Sequence, residues 1–308
     1  MNGTYKHIHP VSKLAVVALV VVICMLVFSI LSFVLAIPIF GKGVFQELIS
    51  SSLSFDSSNV NLLKYLQTVQ SIGLFIVPSF ILAYLFNGNA GRYLYLDRKP
   101  FAVSIILALA IIYSASPLIN VLGIWNSNMS LPDWLSGVEA WMRQSEESAE
   151  ALTELFVKAN SVPALLFNVL MIGIIPAIGE ELLFRGVIQR IFTEWTGNKH
   201  IAIWITAILF SALHLQFYGF IPRALLGAMF GYLLIWSGNL WLPVLAHFIN
   251  NTTAVIAYYL YHNGTITIDP DTLGTNSEYG IGAMVSLILV AGLFVIYYSF
   301  GKRKRLEV

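Results

Sequence analysis

LAVVALVVVICMLVFSILSFVLAI, residues 14–37, runs for 24 residues without a charged side chain. About 20 apolar residues suffice to carry a helix across the hydrocarbon of a bilayer. The stretch follows Lys6 and Lys13. It is longer than the roughly 7–15-residue core of a signal peptide and lacks a small-residue cleavage site, so it reads as a retained membrane helix. Outward from it, seven further apolar stretches have the length of spanning helices, near 66–86, 101–124, 163–195, 200–217, 220–236, 240–261 and 280–300. The fold expected is all-α and polytopic, about eight transmembrane helices in a single membrane domain over 1–308.

Composition agrees. Of the 308 residues, 57% are apolar and 11% charged, against roughly 25% charged in soluble domains. An ordinary soluble globule is excluded. The net charge of +1 offers no global field for nucleic acid or for an acidic partner. Partners are therefore expected in the bilayer itself and among peptide or membrane-protein substrates. A single cysteine, Cys24, excludes a disulfide framework and a thiolate metal cluster.

Charge sets the expected orientation, because cytoplasmic segments near helix ends carry the Lys/Arg excess. With the N-terminus inside, the inner segments hold Lys6, Lys13, Arg92, Arg98, Lys99, Arg190, Lys199 and the tail Lys302-Arg303-Lys304-Arg305. The outer segments hold Lys42, Lys64, Arg143 and Lys158, and collect acids from Asp133 to Glu154 and at Asp269, Asp271 and Glu278. The longest outer segment, Ser130 to Asn160, carries apolar residues at helical intervals and reads as amphipathic helix on the outer face. Its simpler role is an interfacial connector; the functional alternative is a lid over a substrate entrance. The compact ends of the chain have a bacterial character. That points to an inner membrane with both termini cytoplasmic, and to leader or membrane-embedded peptides as substrates rather than prenylated proteins.

Ionisable side chains inside spanning helices are costly, so each is a functional candidate. They are Glu180, Glu181 and Arg185 on the fourth helix, His214 on the fifth, Arg223 on the sixth and His247 on the seventh, with Asn250 and Asn251 beside it. Glu180 lies 17 residues before Gly197 and His214 lies 17 after it, so the two arms of a hairpin bring them to similar depth, roughly 25 Å from its tip. His247 is 8 residues past Asn239, roughly 12 Å in, with Asn251 one turn further on the same face. The four are expected to converge in the inner half of the membrane. Glu181 and Arg185, at i and i+4, can pair and neutralise each other, which leaves Glu180, about 100° away, free to face a cavity as a general base. Imidazoles can move protons near neutrality and the Asn251 amide can donate to an oxyanion. Arg223, after Pro222 at the outer mouth of its helix, reads as snorkelling to headgroups, with an anionic peptide terminus as its other possible partner. Gly227 and Gly231 form a GxxxG that reads as close helix packing.

Taken together, Glu180-Glu181-Leu182-Leu183-Phe184-Arg185, Phe210-Ser211-Ala212-Leu213-His214 and His247-Phe248-Ile249-Asn250-Asn251 resemble the EExxxR, FxxxH and HxxxN motifs of the CPBP family of intramembrane peptidases, also called the Abi or CAAX-protease family. The motif-bearing core spans 162–257. The resemblance implies an eight-helix fold and peptide-bond hydrolysis within the membrane. Glu180 and His214 would activate water, His247 and Asn251 would stabilise the oxyanion, and Glu181 and Arg185 would support them. Members are commonly labelled metalloproteases. Glu180, His214 and His247 would satisfy a catalytic zinc with an open water position, although the chain has no HExxH and the same residues suit a metal-free glutamate site. Two other readings compete with the peptidase: a proton-coupled transporter using the same groups as a relay, and a non-catalytic immunity or scaffold protein in the membrane.

Overall fold

The computed structural model describes residues 3–41, 43, 59–267, 270 and 279–306. Lys42, Asp269, Asp271 and Glu278, which entered the charge reading, lie outside the described residues. Among the described residues there is no strand. Each of the eight expected stretches holds a helix, the fifth ending at Ala212 rather than at 217: α1 (Pro10–Phe40), α2 (Val60–Asn87), α3 (Ala102–Ser127), then, after the outer helix α4 (Ser136–Val157), α5 (Val162–Thr196), α6 (Lys199–Ala212), α7 (Phe220–Ser237), α8 (Trp241–His262) and α9 (Tyr279–Leu306). Six of them are long and apolar enough to cross a bilayer. The expected count of eight is therefore approximate: α6 has only 14 residues, and α8 carries His247, Asn250 and Asn251 in its middle. Large apolar side chains on α1, α3 and α9 point away from the protein, with Leu19, Ile30, Ile106 and Ile288 each at least 60% exposed. Surfaces of that kind are stable only against lipid.

Local sequence explains the turns. Gly197 ends α5 in the left-handed conformation (φ 65°) and sends its N–H to Thr193 O, after which Asn198 caps α6 by accepting from the N–H groups of His200 and Ile201 at 2.9 and 3.3 Å. Gly238 and Asn239 repeat the device between α7 and α8. The N-terminal segment bonds to the end of α2 through Tyr5 N and Leu85 O, Lys13 reaches Glu194 at 2.6 Å, and Gly301 lies against Trp236. Both described ends of the chain therefore share one end of the bundle with the α5–α6 and α7–α8 turns.

Helix α5 runs through the middle, packed against α2, α6 and α8, while α3 and α9 pair on the far side of α7. Leu182, Leu183, Phe184, Val187 and Ile191 of α5 build the larger core with Leu82 and Phe86 of α2. Three stretches are wound as π-helix: Ile72–Ile76, Val169–Ile174 and Glu181–Ile188. The first two directly precede Val77-Pro78 and Ile175-Pro176, where proline lacks the N–H of a regular turn and crowds the carbonyl before it, so the helix widens. The third contains no proline and coincides with the Glu181–Arg185 motif; widened turns of this kind concentrate at functional sites.

Lys64 departs from expectation. It was assigned to an outer segment, yet α2 begins at Val60 and buries it, its ammonium donating to Asn168 Oδ1 at 2.7 Å. Asn168 in turn donates to Val157 O at the end of α4. A buried polar chain satisfies the lysine that the charge count had placed in water.

The GxxxG of α7 does pack closely. A Cβ at Gly227 would stand 3.2 Å from Arg185 Nη2 and 3.3 Å from Ala207 Cβ, and one at Gly231 would stand 2.8 Å from Gln189 Oε1 and 2.9 Å from Ile203 Cγ2. Gly231→Ala is therefore expected to lower stability in detergent by about 1–3 kcal/mol and Gly227→Ala by less, read as melting temperatures. Equal melting for Gly231→Ala and wild type would show the helices to be less tightly apposed than described.

Candidate active site

Helix α5 at Glu180, just before its widened stretch, the far end of α6, the first turns of α7 and the middle of α8 line a cavity of about 330 Å³. Glu180, His214, His247 and Asn251 all line it, with Asn250, Arg223 and the rings of Phe210 and Phe230. The structure thus brings the four expected residues together around one cavity. His214 stands two residues beyond the end of α6, and the cavity wall includes Gly219 of the α6–α7 connection and Pro222 in the first turn of α7.

Each imidazole is held by its Nδ1. His214 Nδ1 donates to the Phe210 carbonyl one turn back at 2.7 Å, and His247 Nδ1 donates to Glu181 Oε1 at 2.9 Å. A carbonyl and a carboxylate can only accept, so both rings carry their proton on Nδ1 and have Nε2 left for the cavity. His247 Nε2 stands 3.9 Å from Glu180 Oε2. Phe230 stacks on the His247 ring at 5.1 Å, and Phe210 sits edge-on to both imidazoles, at 4.8 Å from His214 and 6.2 Å from His247.

Glu181 and Arg185 are fully buried. Glu181 Oε1 lies 2.9 Å from Arg185 Nη1, although the N–H does not point squarely at that oxygen, so charge rather than an aligned hydrogen bond holds the pair. Arg185 Nη2 donates to Gly227 O at 3.1 Å, and the guanidinium lies over Phe210 at 4.5 Å and Phe230 at 5.5 Å. Spacing alone gave Glu181 a single partner. It has two, because the same oxygen also receives His247, and it therefore orients a cavity residue as well as neutralising Arg185. Asn251 Nδ2 donates to Ile172 O at 3.1 Å and its Oδ1 accepts from Asn250 Nδ2 at 3.2 Å, so one of its two amide hydrogens remains uncommitted.

Arg223 does not behave as a lipid-facing arginine. It lines the cavity and donates through Nη1 to Gln216 O at 3.1 Å and through Nη2 to Gln216 Oε1 at 2.8 Å. Its position directly after Pro222 was the available signal, but the direction in which α7 turns its first residues depends on the α6–α7 loop, which no periodicity specifies. Helix α4 seats on that same loop, with Trp141 against Phe217 at 5.1 Å, Arg143 over Tyr218 at 4.8 Å and Glu146 Oε2 accepting from Tyr218 N at 3.0 Å.

The expected zinc set is Glu180, His214 and His247. Among the described residues no three His, Cys, Asp or Glu side chains stand close enough to hold one metal ion, and the Nδ1 bonds fix both rings where they are. The donor set as it stands does not fit a three-ligand zinc, and no step below passes through a metal.

Comparison with known proteins falls on the same segment. Residues 162–253 match the family model described as Type II CAAX prenyl endopeptidase Rce1-like. The chain is similar to the uncharacterized protein YpbD of Bacillus subtilis (strain 168), 36% identical over 94 residues, which are 29% of this chain and 43% of that protein. It is also similar to an uncharacterized 24.3 kDa protein of Escherichia coli, 34% identical over 100 residues, 31% of this chain and 46% of that one. The chain thus spans under half the length of these curated relatives. No solved structure matches. The motif-bearing core of this multi-pass membrane protein, residues 162–253, is thus similar to the CPBP, or CAAX-protease, family.

Proposed function

We propose that the chain is an intramembrane endopeptidase in which Glu180 is the general base. The observation that carries this reading is a carboxylate and an imidazole nitrogen 3.9 Å apart, Glu180 Oε2 and His247 Nε2, on a cavity that His214 and Asn251 also line. Glu180 makes no hydrogen bond to another described side chain and keeps its acceptor oxygens for a water molecule. His214 Nε2, with a free lone pair, positions that water. The water oxygen adds to the peptide carbonyl carbon as Glu180 takes its proton, and the carbonyl oxygen becomes an oxyanion. The uncommitted N–H of Asn251 faces that charge, and His247 lines the same cavity beside it. Collapse of the tetrahedral adduct breaks the C–N bond, and Glu180 returns the proton to the leaving nitrogen, giving a carboxylic acid and an amine, which exchange a proton to leave as carboxylate and ammonium. The apolar walls of Phe210 and Phe230 exclude bulk water from these charges.

The substrate is a peptide or membrane-protein segment that enters from the bilayer or from the face covered by α4. Its products are the direct test. Membrane peptides from cells carrying wild type and cells carrying Glu180→Ala are compared by mass spectrometry, and the peptidase reading expects fragments present in the first and absent from the second. Identical peptidomes would remove it.

The membrane is the inner, plasma membrane of a bacterium, with both termini in the cytoplasm. Basic residues gather at the end of the bundle that holds the described termini, where Arg98, Arg190 and Lys199 stand together, and acids gather on α4 at the opposite end. With Cys24→Ser as background, single cysteines near Glu147 and near Lys304 should respond differently to an impermeant thiol reagent on intact cells. Labelling is expected near Glu147 alone; labelling of the tail reverses the orientation.

A further inference from the structure

We infer that Arg223 is a carboxylate-binding specificity residue, a preformed seat for one carboxylate of the substrate at the far wall of the cavity from α5. The inference rests on the peptidase reading of the same cavity. A guanidinium has five N–H donors. Two of them go to Gln216, which leaves Nε and one hydrogen on each terminal nitrogen. Among the described residues no carboxylate forms an ion pair with Arg223. Its hydrogen bonds go to neutral groups, and Glu146 and Glu180 act on it only from beyond ion-pair distance, so the charge is incompletely neutralised and desolvation makes that arrangement costly unless a ligand supplies further negative charge.

The seat is built rather than accidental. Leu215 adopts a φ of 55°, a region that costs a non-glycine residue energy and that persists only where the surroundings demand it. The turn it makes brings Gln216 back along α7, so that both its backbone and side-chain oxygens reach the guanidinium. At Gly219 a Cβ would lie 3.1 Å from Arg223 Nη2, so the absence of a side chain there leaves the guanidinium its room. These devices fix the planar fork in one orientation, as bidentate recognition of a carboxylate requires.

Glu180 shares the cavity and repels a second carboxylate, so the anion must dock at the Arg223 end while a peptide carbonyl lies near Glu180. The distance between the two then sets which bond is cut relative to the anion. Two sources supply the same chemistry: the free C-terminus of a substrate, or an Asp or Glu side chain near the cleaved bond.

The test uses the full-length protein in detergent, with Glu180→Gln as background so that no probe is consumed. Three peptides labelled with fluorescein at the N-terminus serve as probes, Leu-Leu-Leu as the free acid, Leu-Leu-Leu amide and Leu-Asp-Leu amide, with affinity read by fluorescence polarisation. The acid, the Asp peptide or both are expected to bind about tenfold or more tighter than Leu-Leu-Leu amide. Which of the two gains identifies a C-terminal or a side-chain carboxylate. Arg223→Gln should erase the preference, and Arg223→Lys, with charge but no fork, should reduce it severalfold. If Arg223→Gln fails to fold, the lysine variant decides by itself. Equal binding of all three probes, or a preference unchanged by these substitutions, overturns the carboxylate seat. Loss of the seat alongside Glu180-dependent processing in cells leaves the peptidase reading standing. Processing indifferent to Glu180 removes that reading whatever Arg223 binds.

Discussion

Glu180→Gln is expected to abolish proteolysis while the protein accumulates and melts as wild type. The substitution keeps the side chain's shape and one carbonyl oxygen but removes the group that accepts the water's proton, and loss of a positioned general base costs about 10²–10⁴-fold in rate. Stability should hold because Glu180 is only partly enclosed and faces the cavity, with one ionic neighbour at 3.9 Å, too long for a hydrogen bond. Two measurements are needed together, processing in membranes and the melting temperature of the purified protein. Retained processing excludes Glu180 as the base. Unfolding without Glu181→Gln doing the same would mean that the two glutamates have each other's roles. An unchanged cellular phenotype for Glu180→Gln, with fold and abundance intact, would favour a scaffold over an enzyme.

Glu181→Gln should do something different. Arg185 is buried with Glu181 as its ion-pair partner, and removing one member of such a pair typically costs about 3–5 kcal/mol because the other charge is stranded. Arg185→Gln should cost a similar amount. The double substitution should cost less than the sum of the singles, since the second change removes the charge that the first left behind. The shared oxygen adds an effect on activity. Glu181 also holds His247 Nδ1 at 2.9 Å, so the protein that does fold should lose about 10–100-fold in activity, the usual effect of removing the partner that orients a working histidine. Full activity per folded molecule in Glu181→Gln would show that His247 needs no such support, and strict additivity in the double variant would deny the ion pair.

The helices were legible in the sequence because each depends on an apolar run that must satisfy its own backbone in lipid. The end of α5 was also legible, since Gly197 marks it chemically. Glu180, His214, His247 and Asn251 could be grouped by counting from turns, as a ruler along straight helices allows. Three things escaped. The π-helical winding of Glu181–Ile188 has no proline to announce it. The double use of Glu181 depends on α8 approaching α5, a tertiary fact. Arg223 and Lys64 were assigned by proximity to helix ends, whereas burial and polar partners from Gln216 and Asn168 decide where their side chains go.

Helix α6 has a further consequence. Its 14 residues span roughly 21 Å, some 9 Å less than an average hydrocarbon core of about 30 Å. Hydrophobic mismatch of that size is relieved by the lipid, at fractions of a kcal/mol per Å. Beyond the α6 C-terminus, Leu213 and Leu215 are 61% and 52% exposed, a greasy lip without further helix behind it. A leaflet that adapts to a helix this short thins beside that lip, which would bring headgroups and water toward the level of His214. On the proposed peptidase reading, hydrolysis needs water where a bilayer has none, and a short helix gives the membrane a way to deliver it. A transmembrane segment that drifts into the pinched zone leaves its own end under-covered by acyl chains, and its backbone bonds there become the first to open. The thickness of the host bilayer, set by acyl-chain length, thus becomes a rheostat on the site.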